Sequence, residues 1–507
     1  MKNNILKLLT IYILFNAFTG CTSFVEDQNV DPDLLTNVDS KNLFQGTLLA
    51  DQFFHTSGNV RSVMIWLNQA NGENRQYVAL NNWNNSTASE FDDNWNNAYV
   101  NCITQAKLTQ QKATIEVNPR LVGAAQVIEA HCMGTVTALW GDAPYSEIDI
   151  TGKNLQPKYD TQASIYESLQ ILLDDAIANL SLTIGAGIPN AKDLYYAGDE
   201  TKWIKLAYSL KAKYYLHVKN YPLAKTNALL GIDNAADDFK AQFGNSYVQS
   251  FNPYYSFLVY DRDDYMSGDS YAARLLDPSA ALYRGNAKTD ESARFSFNYL
   301  GADNVEYFDP YGLNIYGADY GNRNGKFGSD SNMPMVTYGE MLLIIAEVDA
   351  RISLSSGVTS YNNYRALLNT GYSIGASTGT GTSVDNTYAN SGYALYNYDS
   401  EVEIDQTFNY SPYVDADFNA GGMENPDNIA AMDALLREIY QERYIYFIGS
   451  FEAFTDFGRS NNKAEIQLKP GFANTPQRFL YPQVEINSNP NTPSPIPSIN
   501  VKTPVHN

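Results

Sequence analysis

The sequence predicts a mainly α-helical protein with minor β-structure. Two observations carry that expectation: apolar residues recur at helical spacing in six separate stretches, and the segments between them are long, polar and rich in Tyr, Asn and Gly. A third observation refines it. The stretches read as antiparallel pairs joined by loops, which suggests tetratricopeptide-like helix pairs, yet no 34-residue consensus is visible and the spacing is irregular. The expected architecture is a helical scaffold of degenerate repeats that carries long irregular loops.

Taken in order, residues 1–20 read as a lipoprotein signal peptide. Lys2 and Lys7 give a basic start, and the apolar run Leu8 to Phe18 is shorter than the roughly 20 residues that span a bilayer. The run ends in Phe18-Thr19-Gly20-Cys21, which resembles a bacterial lipobox and makes Cys21 the expected lipidation site. Residues 21–40, with Glu26, Asp27, Asp31, Asp33 and Asp39, read as the acylated tether, and residues 41–507 as a single domain. Within it the expected helices are Asp93 to Glu116, Arg120 to Trp140, the stripe Ile165 to Leu180 behind Asp160-Thr161, Glu200 to Val218, Thr337 to Ile352 and Asn428 to Phe447. The tail beyond Asn489 holds five prolines and is expected to be extended.

Composition excludes several functions. The 507 residues carry 34 basic and 56 acidic side chains, a formal charge of −22, or −24 once the two leader lysines are removed. Nucleic acid and anionic lipid both need clustered Lys and Arg, so neither is an expected partner. The four histidines, His55, His131, His217 and His506, show no i, i+4 pair, and His131 and His217 fall within amphipathic helices as core or boundary residues. Cys102 and Cys132 fall on consecutive helices and read as buried free thiols. Gly375-Ala376-Ser377-Thr378-Gly379 matches a nucleophile-elbow pattern but lacks the flanking strand and helix. Asp261, Asp263 and Asp264 offer hard oxygen ligands outside any EF-hand pattern; no cofactor is expected, with structural calcium as the alternative.

Several segments together resemble one family. Ala138-Leu139-Trp140-Gly141-Asp142-Ala143-Pro144-Tyr145-Ser146-Glu147 is similar to a helix-ending turn of the SusD/RagB outer-membrane lipoproteins. Pro157 to Gln162 with Ile165-Tyr166, Tyr196 to Asp199 with Trp203, Lys205 and Ala207 to Lys211, and Pro334, Tyr338, Glu340, Ala346 and Glu347 follow in the same order. Glu452 to Asp456 and Arg478 to Pro482 with Glu485 and Asn487 close the series; Gly458 stands where the family commonly has the first of two arginines, leaving Arg459 alone. The resemblance implies a cell-surface, lipid-anchored protein of the outer membrane, without catalysis. It would capture an oligomeric nutrient, mostly glycans and sometimes peptides, and deliver it to a SusC-like TonB-dependent transporter. A surface glycoside hydrolase and a structural cap for the transporter are the alternatives from other classes.

The matched segments are scaffold, so the ligand site is read from the loops. A sugar packs its C–H face on an aromatic ring and pairs its hydroxyls with amides. Trp66, Tyr77, Asn81 and Trp83 form one loop group, and Tyr311, Asn314, Tyr316, Tyr320 and Arg323 a second; the two are expected to converge. Trp95 and Tyr99, four apart on a helix, are expected in the core. Residues 371–413, with seven Tyr and no Lys or Arg, are expected to face ligand or transporter. With net −24, the field suits a neutral sugar or a cationic peptide, and a neutral glycan is the expected ligand.

Overall fold

The computed structural model describes residues 38–56, 58–83, 86–246, 250–301, 311–316, 325–374, 393–397, 402–406, 408–469 and 475–506. The signal peptide, Cys21, most of the tether, Tyr320, Arg323 and the segment 375–379 lie outside the described residues.

The first helix among the described residues is α1 (Ser40–Thr56), which lies outside the stretches of helical periodicity in the sequence. Its polar residues hide the pattern: Asp51 occupies a core position between Leu48 and Phe54, where His131 hydrogen-bonds to it. Ser40 hydrogen-bonds to Glu116 through its amide and hydroxyl, fixing the start of α1 beside the end of a later helix. Helices α2 (Asn59–Trp66) and α3 (Arg75–Leu80) follow. A short helix Asp92–Asn96 then runs through a π-helical segment, Asn97–Ile103, into α4 (Thr104–Ile115).

Helix α5 (Pro119–Trp140) is the centre of the fold. Pro119 starts it, where the missing N–H costs nothing, and most of its residues are buried. It packs against α4, α6 (Gln162–Leu180) and α7 (Glu200–His217); α8 (Tyr221–Ala228) closes on α7. Thr161 and Asp199 cap α6 and α7 with side-chain acceptors. Close crossing needs missing side chains. A Cβ on Gly134 would lie 2.2 Å from the Tyr214 ring, and one on Gly123 would lie 2.7 Å from the Ala176 carbonyl.

Cys102 and Cys132 are joined as a disulfide, which corrects the expectation of free thiols. The π-helical segment turns Cys102 inward toward α5, a register that helical periodicity alone does not supply.

The second half is built on α9 (Tyr338–Ala350), α10 (Leu354–Leu368), α11 (Ala431–Tyr446) and α12 (Glu452–Ser460). Tyr361, Tyr364, Tyr410 and Tyr413 are buried there against Leu343, Leu435 and Ile439. Tyr410 and Tyr413, from the segment expected to face ligand or transporter, are therefore core. Among the described residues, strands pair only in two-stranded antiparallel ribbons, such as Phe239–Ala241 with Met333–Val336.

The resemblance segments meet inside. Lys213 of α7 reaches Glu340 of α9 at 3.3 Å and Glu452 of α12 at 3.1 Å, and His217 meets Glu452 at 3.0 Å. Arg459 bridges Glu347 and Asp456 at 2.7 and 2.6 Å, while Arg443 takes the other side of Asp456 at 2.7 Å. Glycine at position 458 therefore leaves the Arg459 bridges intact.

Candidate functional site

Asn252 caps the short helix Pro253–Tyr255, accepting from the Tyr254 amide at 2.9 Å. Six π-helical residues, Ser256–Asp261, follow. They turn Phe257 and Leu258 inward and leave Tyr260 65% exposed. The Tyr260 ring lies parallel to Phe251, within 7° and at 5.8 Å between centroids, and Tyr255 stands edge-on to both at 5.9 and 5.3 Å. On the inner side, Phe257 packs on Tyr77 at 5.1 Å under the Arg61 guanidinium, 4.1 Å away. Arg61 Nε donates to the Tyr77 hydroxyl at 3.0 Å, and Tyr77 meets Tyr265 edge-on at 5.6 Å. Sequence reasoning missed Phe251, Tyr255 and Tyr260 as a group, because a π-helical turn has no composition signal.

Both loop groups reach the strand Met266–Ser267. Strand Asn71–Gly72 pairs with it on one side. On the other, the Gly268 amide donates to the Tyr311 carbonyl at 2.9 Å. Asn81 brackets Gly72, accepting from its amide at 3.0 Å and donating to its carbonyl at 2.6 Å. The Lys469 ammonium donates to the Asn71 and Asn81 side chains and to the Ala70 carbonyl; burial pushes its pKa down to about 8. The Tyr311 hydroxyl donates to Asp277 beneath the Arg274 guanidinium, and burial together with that hydrogen bond pushes it up to about 12. Tyr316 is half-buried, its amide held by Asn314 Oδ1 at 3.0 Å.

Three of the expected ligand residues are interior. Trp66, 1% exposed, ends α2 and packs among Phe91, Phe454 and Phe479. Trp83, also 1% exposed, joins the same core rather than an exposed loop. Asn314 is buried with its amide on the Ser296 carbonyl at 2.6 Å, where it holds its loop. In each case burying a large or backbone-pairing side chain stabilises the loop that carries it. Trp95 and Tyr99 pack at 4.5 Å between ring centroids, tilted by 38°, beside Trp140; Trp95 is in the core as expected, and Tyr99 is half-buried against it.

The interior also holds a polar cavity of about 20 Å³ between α1, α5, α7 and α12, lined by His55, His131, Lys213, His217, Glu452 and Thr455 among others. That is room for one water and for no sugar. His131 Nδ1 faces both Asp51 oxygens at 2.9 and 3.0 Å and so carries its proton. His55 Nδ1 donates to the Asp51 carbonyl, leaving Nε2 to accept from Thr135 at 2.9 Å. Burial lowers the His131 pKa to about 4, against the pull of Asp51. Asp51 is held well below the carboxylate range: burial opposes this, but the two imidazoles prevail. Donor atoms of Asp51, His55 and His131 converge closely enough to suggest a metal site. The rings, however, stack 13° apart at 3.8 Å, so an ion in the plane of one imidazole lies far out of the plane of the other. The trio is a hydrogen-bonded unit. Burial pushes Glu340 up to about 7, but it is sealed from solvent and out of reach of a polymeric substrate.

The architecture is a helical scaffold with an ion-paired interior and an exposed Tyr260 ring at the end of a π-helical turn. The chain belongs to the SusD-like family: the family described as "starch-binding associating with outer membrane" matches residues 27–482. No curated protein matches it. Among solved structures, a SusD/RagB family protein from Bacteroides thetaiotaomicron is 20% identical, with a TM-score of 0.61, covering 90% of this chain and 95% of that one. A SusD homolog from Bacteroides uniformis, 17% identical, gives 0.60 over 92% and 98%. A chitin-binding SusD homolog from Flavobacterium johnsoniae, 18% identical, gives 0.59 over the same shares. These likenesses show the shared fold, and no helix among the described residues is long and apolar enough to cross a membrane.

Proposed function

We propose that the protein is a non-catalytic cell-surface lipoprotein that captures a glycan and delivers it to a partner TonB-dependent transporter of the outer membrane. Acylated Cys21 would anchor it, with residues 41–507 acting as one domain facing outward and no cofactor required. One observation carries the reading: the Tyr260 ring is exposed and lies parallel to the half-buried Phe251, with the buried Tyr255 edge-on to both, next to the amide-rich segment 71–81. Aromatic faces flanked by amides are the chemistry that binds sugar rings. The family description and the chitin-binding relative agree with a glycan.

The test is affinity electrophoresis of the protein in gels containing starch, chitin derivatives or other neutral polysaccharides, with Tyr260→Ala run alongside. Retardation of the parent and its loss in the variant are expected. Retardation unchanged by the substitution would place the ligand elsewhere. Binding to a peptide mixture alone would move the protein to the peptide-importing branch, and release of shorter sugars would make it a hydrolase.

A further inference from the structure

We propose that an exposed aliphatic surface beside the start of α1 sits on the lipid surface of the membrane and sets how the domain stands there. The inference goes beyond glycan capture and rests on one part of the reading above, the acyl anchor at Cys21.

Helix α4 ends at Ile115, and two backbone bonds close the turn behind it. The Val117 amide donates to the Thr114 carbonyl at 3.1 Å, and the Asn118 amide to the Ala113 carbonyl at 2.9 Å. Such a turn puts its left-handed residue at position 117, where glycine is the usual choice. Here that residue is Val117, at φ +54°, the one β-branched side chain at positive φ among the described residues. A branched Cβ crowds the backbone in this region, so the conformation is strained. Burial does not repay the strain: Val117 is 64% exposed, and Ile115 is 74% exposed. The fold alone would be better served by glycine, which points to a role for the aliphatic side chain outside the molecule.

A second segment lies against this turn. Residues 181–190 carry no charge, and Leu182 and Ile184 are exposed. Their path is fixed by Asn118, which donates to the Gly187 carbonyl at 2.9 Å and accepts from its amide at 3.1 Å, and by Arg120, which donates to the Gly185 carbonyl at 3.2 Å. Gly185 approaches so closely that a Cβ there would lie 2.4 Å from the Val117 carbonyl oxygen. The same corner receives the tether. Ser40 donates through its amide and hydroxyl to Glu116, the residue between Ile115 and Val117. Residues 22–39 separate Ser40 from Cys21, a chain that reaches about 65 Å at full extension. Acylation therefore holds this corner near the bilayer at a local concentration on the order of millimolar, so a weak contact is enough to seat it. Uncharged aliphatic side chains gain by entering the boundary between headgroups and acyl chains.

The experiment uses the full-length acylated protein in phosphatidylcholine nanodiscs, with an environment-sensitive fluorophore attached at Ile184→Cys or, as a control, at Tyr260→Cys. Each labelled protein is compared with its unacylated Cys21→Ser form in solution. An aqueous quencher is expected to reach the probe at 184 about three- to tenfold less well in the nanodisc, and the probe at 260 equally well in both. Val117→Gly separates a surface role from packing. It relieves the strained turn, so the melting temperature is expected to hold or rise, while the protection at 184 falls about twofold or more. Equal quenching at 184 with and without lipid, or protection that Val117→Gly leaves unchanged, would overturn the inference and leave the anchor standing. Protection that appears only when outer-membrane proteins are added to the nanodiscs would also overturn it and give the surface to a protein partner. A full-length chain whose mass shows no acyl groups would overturn the anchor and this inference with it.

Discussion

Replacing His131 with Gln changes the acid sensitivity of the fold by an amount the structure sets. Buried beside Asp51 and stacked on His55, His131 has its pKa lowered from 6.5 to about 4. Between those values the unfolded chain binds the more protons at this position, so native stability falls as pH drops through the window. The shift of about 2.5 pH units corresponds to about 3 kcal/mol. Other groups titrate in the same range with either sign. Glu340, raised to about 7, gains stability on acidification, and Lys213 and His217 share its surroundings. The quantity to measure is therefore the difference between parent and His131→Gln in urea-unfolding free energy at pH 7 and pH 4.5. The variant amide can still donate to Asp51, and it does not titrate. The parent is expected to lose about 2–3 kcal/mol more than the variant on acidification. A gap that is the same at both pH values would show that His131 is not held neutral by burial.

Three further outcomes follow from the packing. Reducing the Cys102–Cys132 bond, which closes a 30-residue separation, is expected to cost about 3–4 kcal/mol on the chain-entropy estimate. Thiol titration of the unreduced, unfolded chain that finds both cysteines free would refute the bond itself. Arg459→Leu leaves the buried Glu347 to Arg351 and the buried Asp456 to Arg443, each one cation short, and is expected to cost about 1–3 kcal/mol, read as a lowered urea midpoint. Trp66→Ala is expected to cost about 3–5 kcal/mol and Tyr260→Ala less than about 0.5, so equal effects on the melting curve would reverse their assignment to core and surface.

Much of the scaffold was legible in the sequence. Helices α5, α6 and α7 announce themselves through long apolar stripes, Pro119, and the Thr161 and Asp199 caps. Helix α1 did not, because Asp51, Gln52 and His55 interrupt its apolar stripe, and their partners come from segments remote in sequence. The surface was harder to read. Trp66, Trp83 and Tyr260 are all large aromatics in polar surroundings, and composition cannot say which one the chain folds over. The answer lies in the π-helical register of Ser256–Asp261 and in the packing of Phe479 and Phe454 around Trp66.

The reach of Lys213 has a consequence for how the molecule can be divided. This one ammonium belongs to the first half of the chain, while both carboxylates that hold it belong to the second. A fragment ending after α8 would expose a lysine and a histidine shaped for an interior, and the complementary fragment would carry Glu340 and Glu452 with no counter-ion from α7. The protein is thus a poor candidate for splitting into complementing parts or for exchanging halves with a relative, since any junction between α8 and α9 must match its charges across the seam.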